Sequence, residues 1–126
     1  MDNEMKERAV NMANTIWQTL FWSITPTVVL SWGVSKRTAT YYNQMPALEL
    51  RVNGMVHKGS VIICYEEGHD VFIAYLLDKK RNVVKTMDGL FCDELGKRID
   101  EAIERPANVT DTQYRSKTIS ELVNAI

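Results

Sequence analysis

The sequence is poor in the residues and patterns that mark disulfide-rich, metal-binding or hydrolytic proteins. It has two cysteines among 126 residues, Cys64 and Cys92, which lie far apart and outside any metal-ligand spacing. This excludes a disulfide scaffold and indicates reduced thiols in a cytosolic protein. The motifs HExxH, GxSxG and CxxC and a phosphate-binding glycine loop are also missing, so nothing points to an enzyme. We expect no cofactor and no metal.

An excess of charge of one sign is lacking as well. Fifteen basic and sixteen acidic side chains leave a net charge of −1. No global field therefore attracts nucleic acid or a membrane surface, and any such affinity must come from a local patch.

A long uninterrupted apolar run is the third absence. The stretch 16–34 is apolar enough to test as a membrane span, but polar residues and Pro26 interrupt it and its periodicity changes partway. The first residues are acidic where a secretory signal would be basic. We therefore expect a soluble, cytoplasmic chain. Its 45% hydrophobic and 25% charged residues suit one globular domain.

What the sequence does have begins with a helical pattern. Between residues 3 and 21, apolar side chains recur at spacings of three and four, which predicts a helix with one apolar stripe. The stripe consists of Met5, Ala9, Met12, Ala13, Ile16 and Leu20. Pro26 disfavours helical geometry at Thr25, so this helix should end before it.

The middle of the chain changes to period two, which predicts strands joined by short polar turns and therefore antiparallel neighbours. The predicted strands are 28–33, 48–53, 60–65, 71–77 and 82–87. The Asn-Gly pair at 53–54 is a strong hairpin signal, but we prefer a turn at 57–59 because it leaves the next strand a natural length. The stretch 37–45 is either a short strand or an ordered loop.

Helical spacing returns at 90–105 and at 111–125. The stripe of the first of these helices is Phe91, Leu95, Ile99, Ala102 and Ile103, and Pro106 ends it. The stripe of the second is Ile119, Leu122, Val123 and Ile126. Gly96 inside the first indicates close packing on a neighbour, since glycine costs about 1 kcal/mol against alanine in a helix.

The predicted order is α–β–β–β–β–β–α–α, which belongs to the α+β class. It gives an antiparallel sheet of about four to five strands, with the N-terminal helix and the post-sheet helix packed on one face. Residues 1–105 would form a single domain, and 106–126 a linker and a C-terminal helix that packs on the domain or on a partner. The two central strands are apolar on both sides, so we expect the second face to be covered by the third helix, a second copy, or both.

Several segments of this chain occur in a recognisable order. They are "ANTI..TL" near the N-terminus, "LEL", "VIICYEEGHDVFIAYL", and "VVKTMDGLFCDEL". In this pattern the stretch 13–103 resembles small accessory proteins of bacteriophages and other bacterial mobile elements. The resemblance implies a bacterial origin and a fold, and it implies no activity.

Cys92 is the first candidate for chemistry, because carboxylates follow it at Asp93 and Glu94. At the start of a helix such carboxylates interact well with the helix dipole, and they oppose formation of the thiolate that a nucleophile needs. We therefore predict a helix start and not a reactive centre. The histidines, His57 and His69, flank one strand of about six residues, which places them about 20 Å apart and excludes a shared metal.

The turns sort into two ends of the predicted sheet. We call the end with "EEGHD" (66–70) the upper end and the opposite end the lower end. The lower end collects Lys58, Lys79, Lys80 and Arg81, and a loop at 34–45 should place Lys36, Arg37, Tyr41 and Tyr42 at the upper end. The lower group is a candidate for contacting phosphates, and the upper loop, with two tyrosines near Lys36 and Arg37, is a candidate for binding a single strand. Charged turns, however, more often only keep hairpins soluble.

Two hypotheses for function follow. The leading one is a non-enzymatic accessory or interaction domain that binds another protein or a second copy of itself as a homodimer. The alternative is a nucleic-acid-binding module that uses the basic lower turns or the 36–42 loop. The two differ in salt dependence, because phosphate contacts lose affinity steeply as salt rises.

Overall fold

The computed structural model describes residues 2–104, which form a five-stranded antiparallel sheet with helices on one face. The elements are α1 (Asn3–Ser23), α2 (Pro26–Ser31), β1 (Lys36–Tyr42), β2 (Met45–Asn53), β3 (Lys58–Glu66), β4 (Val71–Leu77), β5 (Val83–Leu90) and α3 (Leu95–Ile103). Each strand pairs with the next one along the chain, so the sheet order is β1-β2-β3-β4-β5. The predicted α+β class is confirmed. The predicted linker and C-terminal helix, 106–126, lie outside the described residues.

The prediction of a first strand at 28–33 is wrong, because this segment is mostly helical. α2 begins at Pro26. Proline is favoured in the first turn of a helix, where its missing N–H has no helical partner. Val29 and Trp32 are buried three residues apart, whereas Leu30 is 61% exposed. That burial follows a helical period and not an alternating one.

The alternatives left open at 37–45 resolve as a strand followed by a tight turn. β1 pairs with β2 over seven consecutive residues. Asn43 and Gln44 connect the two strands with positive φ angles of 50° and 65°, the geometry of a two-residue type I′ hairpin. β1 therefore starts with Lys36 at the lower end of the sheet and finishes with Tyr42 at the upper end.

The β2–β3 connection begins earlier than predicted. It spans 54–57, so the Asn-Gly signal marks its start and the preferred turn at 57–59 is wrong. The N–H groups of Val56 and His57 both donate to the Ile103 carbonyl at the end of α3, at 2.8 and 3.1 Å. The turn is thus held by a distant helix terminus, which local turn propensity cannot reveal.

β5 is longer and α3 is shorter than predicted. β5 continues to Leu90 and α3 begins at Leu95, so 91–94 forms a turn between them. The Phe91 N–H donates to the Glu94 carboxylate at 3.0 Å and closes this turn. Phe91, predicted on the helical stripe, is instead 59% exposed.

All described helices pack on the same face of the sheet. α1 lies across β1 and β2 and contacts both α2 and α3, as predicted for the first and last of these helices. The main core forms between the helices and this face. Its large members include Ile16, Leu20, Trp32, Leu48, Leu50, Ile63, Phe72, Leu76, Met87, Leu90, Leu95, Ile99 and Ile103.

The second face carries a smaller apolar cluster of its own. Its buried members are Ala47, Ile62, Cys64 and Leu77, and the described members of the cluster all come from strands. This agrees with the prediction that β3 and β4 are apolar on both sides.

The end of the β1–β2 hairpin bends over this second face. The rings of Tyr42 and Tyr75 lie 4.8 Å apart between centroids, although β1 and β4 would be about 14 Å apart in a flat sheet. The Tyr42 carbonyl lies 3.9 Å from Cys64 Sγ, and the Asn43 amide donates to the Tyr75 hydroxyl at 3.2 Å. The tyrosines therefore cover the small side chains beneath them.

We expect Gly96→Ala to destabilise the fold. A Cβ at this position would lie 2.6 Å from Ser23 Oγ and 2.7 Å from Ile24 Cγ2, so α1 and α3 would have to move apart. Overpacking of this kind costs about 1–3 kcal/mol, against the ~1 kcal/mol that alanine gains in a helix. Urea unfolding should show the loss, and Lys97→Ala on the exposed side of α3 is the control. Equal stability of Gly96→Ala and the unchanged chain would contradict the packing.

Candidate functional site

Five exposed cations converge at the lower end of the second face. Lys36 on β1 lies directly opposite Arg51 on β2, and opposed residues of an antiparallel pair point to the same side. Lys58 at the start of β3 lies opposite Asn53, which is two residues from Arg51 along β2 and therefore points to the same side. Lys79 and Arg81 come from the β4–β5 turn at the same end. We call Lys36, Arg51, Lys58, Lys79 and Arg81 the basic row.

Four members of the basic row, all except Lys36, line an open pocket of about 360 Å³. The other lining residues are Ser35, Val52, Asn53, Gly59, Ser60 and Asp78. Among the described residues that line the pocket, Asp78 alone carries negative charge. The pocket therefore presents cations, hydroxyls and main-chain groups to a ligand, which is the donor set that an anion requires.

The β4–β5 turn is built around Asp78. Its Oδ1 accepts the N–H groups of Lys80 and Asn82, each at 2.9 Å, and its carbonyl accepts the N–H of Arg81 at 3.0 Å. The bonds to its carboxylate, led by the one from the Asn82 N–H, hold the pKa of Asp78 below its ordinary value. Their stabilisation is present above the ordinary carboxyl pKa and is lost as pH falls through the lowered one. At neutral pH the turn fixes where Lys79 and Arg81 lie.

Arg81 crosses the second face to reach β2. Its guanidinium donates two parallel hydrogen bonds to the Glu49 carboxylate, both 3.0 Å, and this pair raises the pKa of Arg81. Glu49 lies opposite Ile62, so the ion pair spans the apolar cluster. The Arg81 backbone has a φ of 72°, which costs about 1–2 kcal/mol for a residue with a Cβ. Arg81 is therefore held in a defined position.

The residues predicted for an upper-end loop are split between the two ends. Lys36 and Arg37 lie at the lower end and Tyr41 and Tyr42 at the upper end, because they belong to one strand. The predicted loop is wrong since the chain enters β1 from a helix and not from a strand. Arg37 faces the helices, where its guanidinium lies 4.8 Å from the centroid of the Trp17 ring.

Of the four predicted lower-end residues, Lys58, Lys79 and Arg81 line the pocket and Lys80 does not. Lys80 is exposed in the same turn. The prediction missed Arg51, which is a central member of the basic row. The signal for it was present, since Arg51 is the charged residue in the alternating 48–53 strand nearest the lower end. Its importance depends on the pairing with β1, which the sequence left open.

The histidines have structural roles at opposite ends of β3. His57 is buried, with Nε2 3.2 Å from the Ser60 carbonyl oxygen. His69 is exposed, and its Nδ1 and backbone nitrogen each lie 2.7 Å from Glu66 Oε2. The hydrogen bond from His69 lowers the pKa of Glu66. Within residues 2–104, no group of three or more potential ligands could hold a metal ion.

The cysteines differ in environment. Cys92 is exposed in the turn before α3. Asp93 and Glu94 precede α3 and do not form its first turn, so that part of the prediction is wrong. Cys64 is buried on the second face, and desolvation raises the pKa of its thiol to about 12.

No protein-family model matches this chain, and no curated protein or solved structure is significantly similar to it. No helix in the described part of the chain is long and apolar enough to cross a membrane.

We expect a thiol reagent at neutral pH to label one cysteine of the folded chain. Cys92 is exposed, whereas Cys64 is buried and stays a neutral thiol because of its raised pKa. In Cys92→Ser, labelling should appear only after denaturant is added. Labelling of Cys92 far faster than that of a model thiol would show a reactive centre, and rapid labelling of folded Cys92→Ser would show that the second face is open.

Proposed function

We propose that this chain is a non-enzymatic binding domain that holds the phosphate backbone of a nucleic acid along the basic row. The observation that carries the proposal is the convergence of five of the chain's fifteen basic side chains at one end of one face. Arg81 is already paired with Glu49, so Lys36, Arg51, Lys58 and Lys79 would supply the phosphate contacts. The protein as a whole has a net charge of −1, so this local concentration is not a consequence of composition. Because of this concentration of charge, we prefer nucleic-acid binding to protein binding, which was the leading hypothesis from the sequence.

The spacing of the row suits an extended polyanion. Its members come from the neighbouring strands β1 to β3 and from the turn after β4. Neighbouring strands lie ~4.8 Å apart, so the row spans about 14 Å between β1 and β4. Nucleic acid presents a closely spaced series of negative charges over such a length. Lysine and arginine side chains that are exposed at the mouth of a pocket contact phosphates without the cost of burying an unpaired charge.

The same pocket supports binding without sequence preference. No aromatic side chain is among its described lining residues, so it offers no platform on which bases stack. Lysine and arginine contacts to phosphate contribute affinity and position the protein on the nucleic acid, but they do not distinguish between sequences. We therefore expect single strands and duplexes of different sequence to bind alike.

A binding role fits the titratable groups of the pocket better than a catalytic one. Asp78 already accepts two N–H groups and has a lowered pKa, which suits a structural acceptor and not a general base. Arg81 is engaged by Glu49. The exposed Cys92 lies in the turn after β5, which ends at the upper end of the sheet.

Protein binding is the second candidate, and exposed apolar side chains favour it. Trp22 is 76% exposed, Leu30 61% and Phe91 59%. Large side chains of this kind are common at protein interfaces. None of the three lines the basic pocket, so the two functions would use different surfaces. A cytoplasmic location and an origin in a bacterial mobile element stay predictions from the sequence.

The salt dependence of binding tests the proposal. A fluorescent oligonucleotide, single-stranded or duplex, should bind with an affinity that falls as salt rises. Arg51→Gln with Lys58→Gln should weaken binding and reduce the slope of log K against log salt by roughly 0.7–0.9 for each phosphate that the variant no longer neutralises. Lys6→Gln with Lys97→Gln changes the net charge equally, and its slope should match the unchanged chain. Identical slopes in both double variants would contradict the basic row, and no binding by the unchanged chain would leave protein binding as the function.

Two substitutions of Asp78 separate its charge from its hydrogen bonds. Asp78→Asn keeps an oxygen that accepts from Lys80 and Asn82 and removes the negative charge, so oligonucleotide affinity should rise by roughly two- to fivefold. Asp78→Ala removes the charge and the acceptor, which releases the turn and should lower affinity. Anisotropy titrations measure both. Equal increases in affinity for the two variants would show that the turn geometry does not matter for binding.

A further inference from the structure

The outer edge of β1 has no strand beside it among the described residues. β1 lies at one end of the sheet order, and its seven residues pair with β2 without a register shift. β5, at the other end, shows two register irregularities against β4, and Gly89 within it has a φ of 63°. Such irregularities interrupt the hydrogen-bonding edge of a strand. β1 is therefore the edge on which another strand can pair.

The hairpin geometry shows which main-chain groups of β1 face outward. In a two-residue hairpin the closing pair exchanges both hydrogen bonds, and bonded and non-bonded pairs then alternate. Starting from Tyr42, the even-numbered residues of β1 bond to β2. The N–H and C=O groups of Arg37, Ala39 and Tyr41 therefore point to the free edge. Pro46 opposite Tyr41 fits this pattern, because a proline cannot donate within a bonded pair.

We infer that two copies of this chain associate through their β1 edges, in antiparallel register centred on Ala39. This centre pairs all seven β1 residues of one copy with all seven of the other. The outward groups then meet each other, with Ala39 bonded to Ala39 of the second copy and Arg37 bonded to Tyr41 of the second copy. The result is one continuous ten-stranded sheet with a two-fold axis perpendicular to it. The inference goes beyond the proposed function and does not depend on it.

The side chains agree with this register. Charged side chains such as Lys36 and Arg37 on an edge strand usually discourage pairing with another chain. Both stand at one end of β1, and Tyr41 and Tyr42 stand at the other. In antiparallel pairing each cation therefore faces a tyrosine of the second copy and no cation faces another. Arginine beside an aromatic ring is a favourable cross-strand neighbour.

The helix layer agrees as well. α1 lies across β1 and β2, so its axis would be about one strand spacing from the two-fold axis. The two α1 helices would then lie ~10 Å apart, which is within the normal range for packed helices. Val10 and Trp17 line a shallow groove beside β1, and Val10 is 48% exposed. The second copy would cover this flank of α1.

The first measurement is the mass in solution of the full chain. Sedimentation equilibrium should give twice the 14.4 kDa chain mass. A monomer at every concentration reached would overturn the inference.

A charge exchange tests the register itself. Tyr41→Lys places a cation opposite Arg37 of the second copy at two symmetric positions, which should raise the dimer dissociation constant roughly tenfold or more. Adding Arg37→Glu in the same chain makes the facing pair opposite in charge and should restore the dimer. The two positions are four residues apart along one strand, about 13 Å, so the rescue cannot arise within one copy. Equal dimerisation of all three proteins, or a double variant as monomeric as the single one, would overturn the inference.

Ala39→Pro tests the hydrogen bonds. The Ala39 N–H points to the free edge, so proline should leave the β1–β2 ladder intact and remove the central bonds between copies. Thr40→Pro is the control, because the Thr40 N–H bonds to β2 and its loss should lower the urea midpoint. Folded Ala39→Pro that still dimerises with unchanged affinity would contradict pairing at this edge. If Ala39→Pro does not fold, the charge exchange decides.

Discussion

The central strands of the sheet are apolar on both faces, but all described helices pack on one face. The second apolar face must therefore be covered by other parts of the molecule. The first face receives α1, α2 and α3 and becomes the main core. The second face has only strand and turn residues to cover it within residues 2–104. It does so by placing the small residues Ala47 and Cys64 beneath larger side chains, among them Tyr42 and Tyr75.

This covering explains where the polar groups of the second face lie. At the upper end the hairpin bends so that Tyr42 meets Tyr75. Toward the lower end Arg81 extends from the β4–β5 turn to Glu49 on β2 and bridges the cluster. An arginine that has to cross the sheet needs a rigid starting point, and the hydrogen bonds to Asp78 supply one. The basic pocket is the space left beside this bridge, with lysines from the neighbouring turns around it.

Much of this fold is predictable from the sequence because its apolar patterns and its short polar turns are distinct. β2 follows from its apolar period of two, β3 and β4 follow from apolar runs bounded by short polar turns, and the apolar stripe of α1 follows from spacings of three and four. α2 is hard to predict because Val28, Leu30 and Trp32 also alternate, and because a proline such as Pro26 can follow one helix and begin another. β1 shows little difference in polarity between its two faces, since its residues are mostly polar or aromatic. The position of Lys36 depends on that strand, so the sequence places it at the wrong end, whereas Lys58, Lys79 and Arg81 follow from the turns. Arg51 is recognisable as the charged residue of a predicted strand, but its pairing with Lys36 is not.

We propose that the lower end of the second face is a preformed surface for phosphate groups. The decisive experiment follows the amide chemical shifts of the full chain during titration with a short oligonucleotide. We expect the shift changes to concentrate at Lys36, Arg51, 58–60 and 78–81 and to stay small on the outer side of α1. Changes that spread evenly over the charged surface, or that concentrate on the helix face, would contradict the claim.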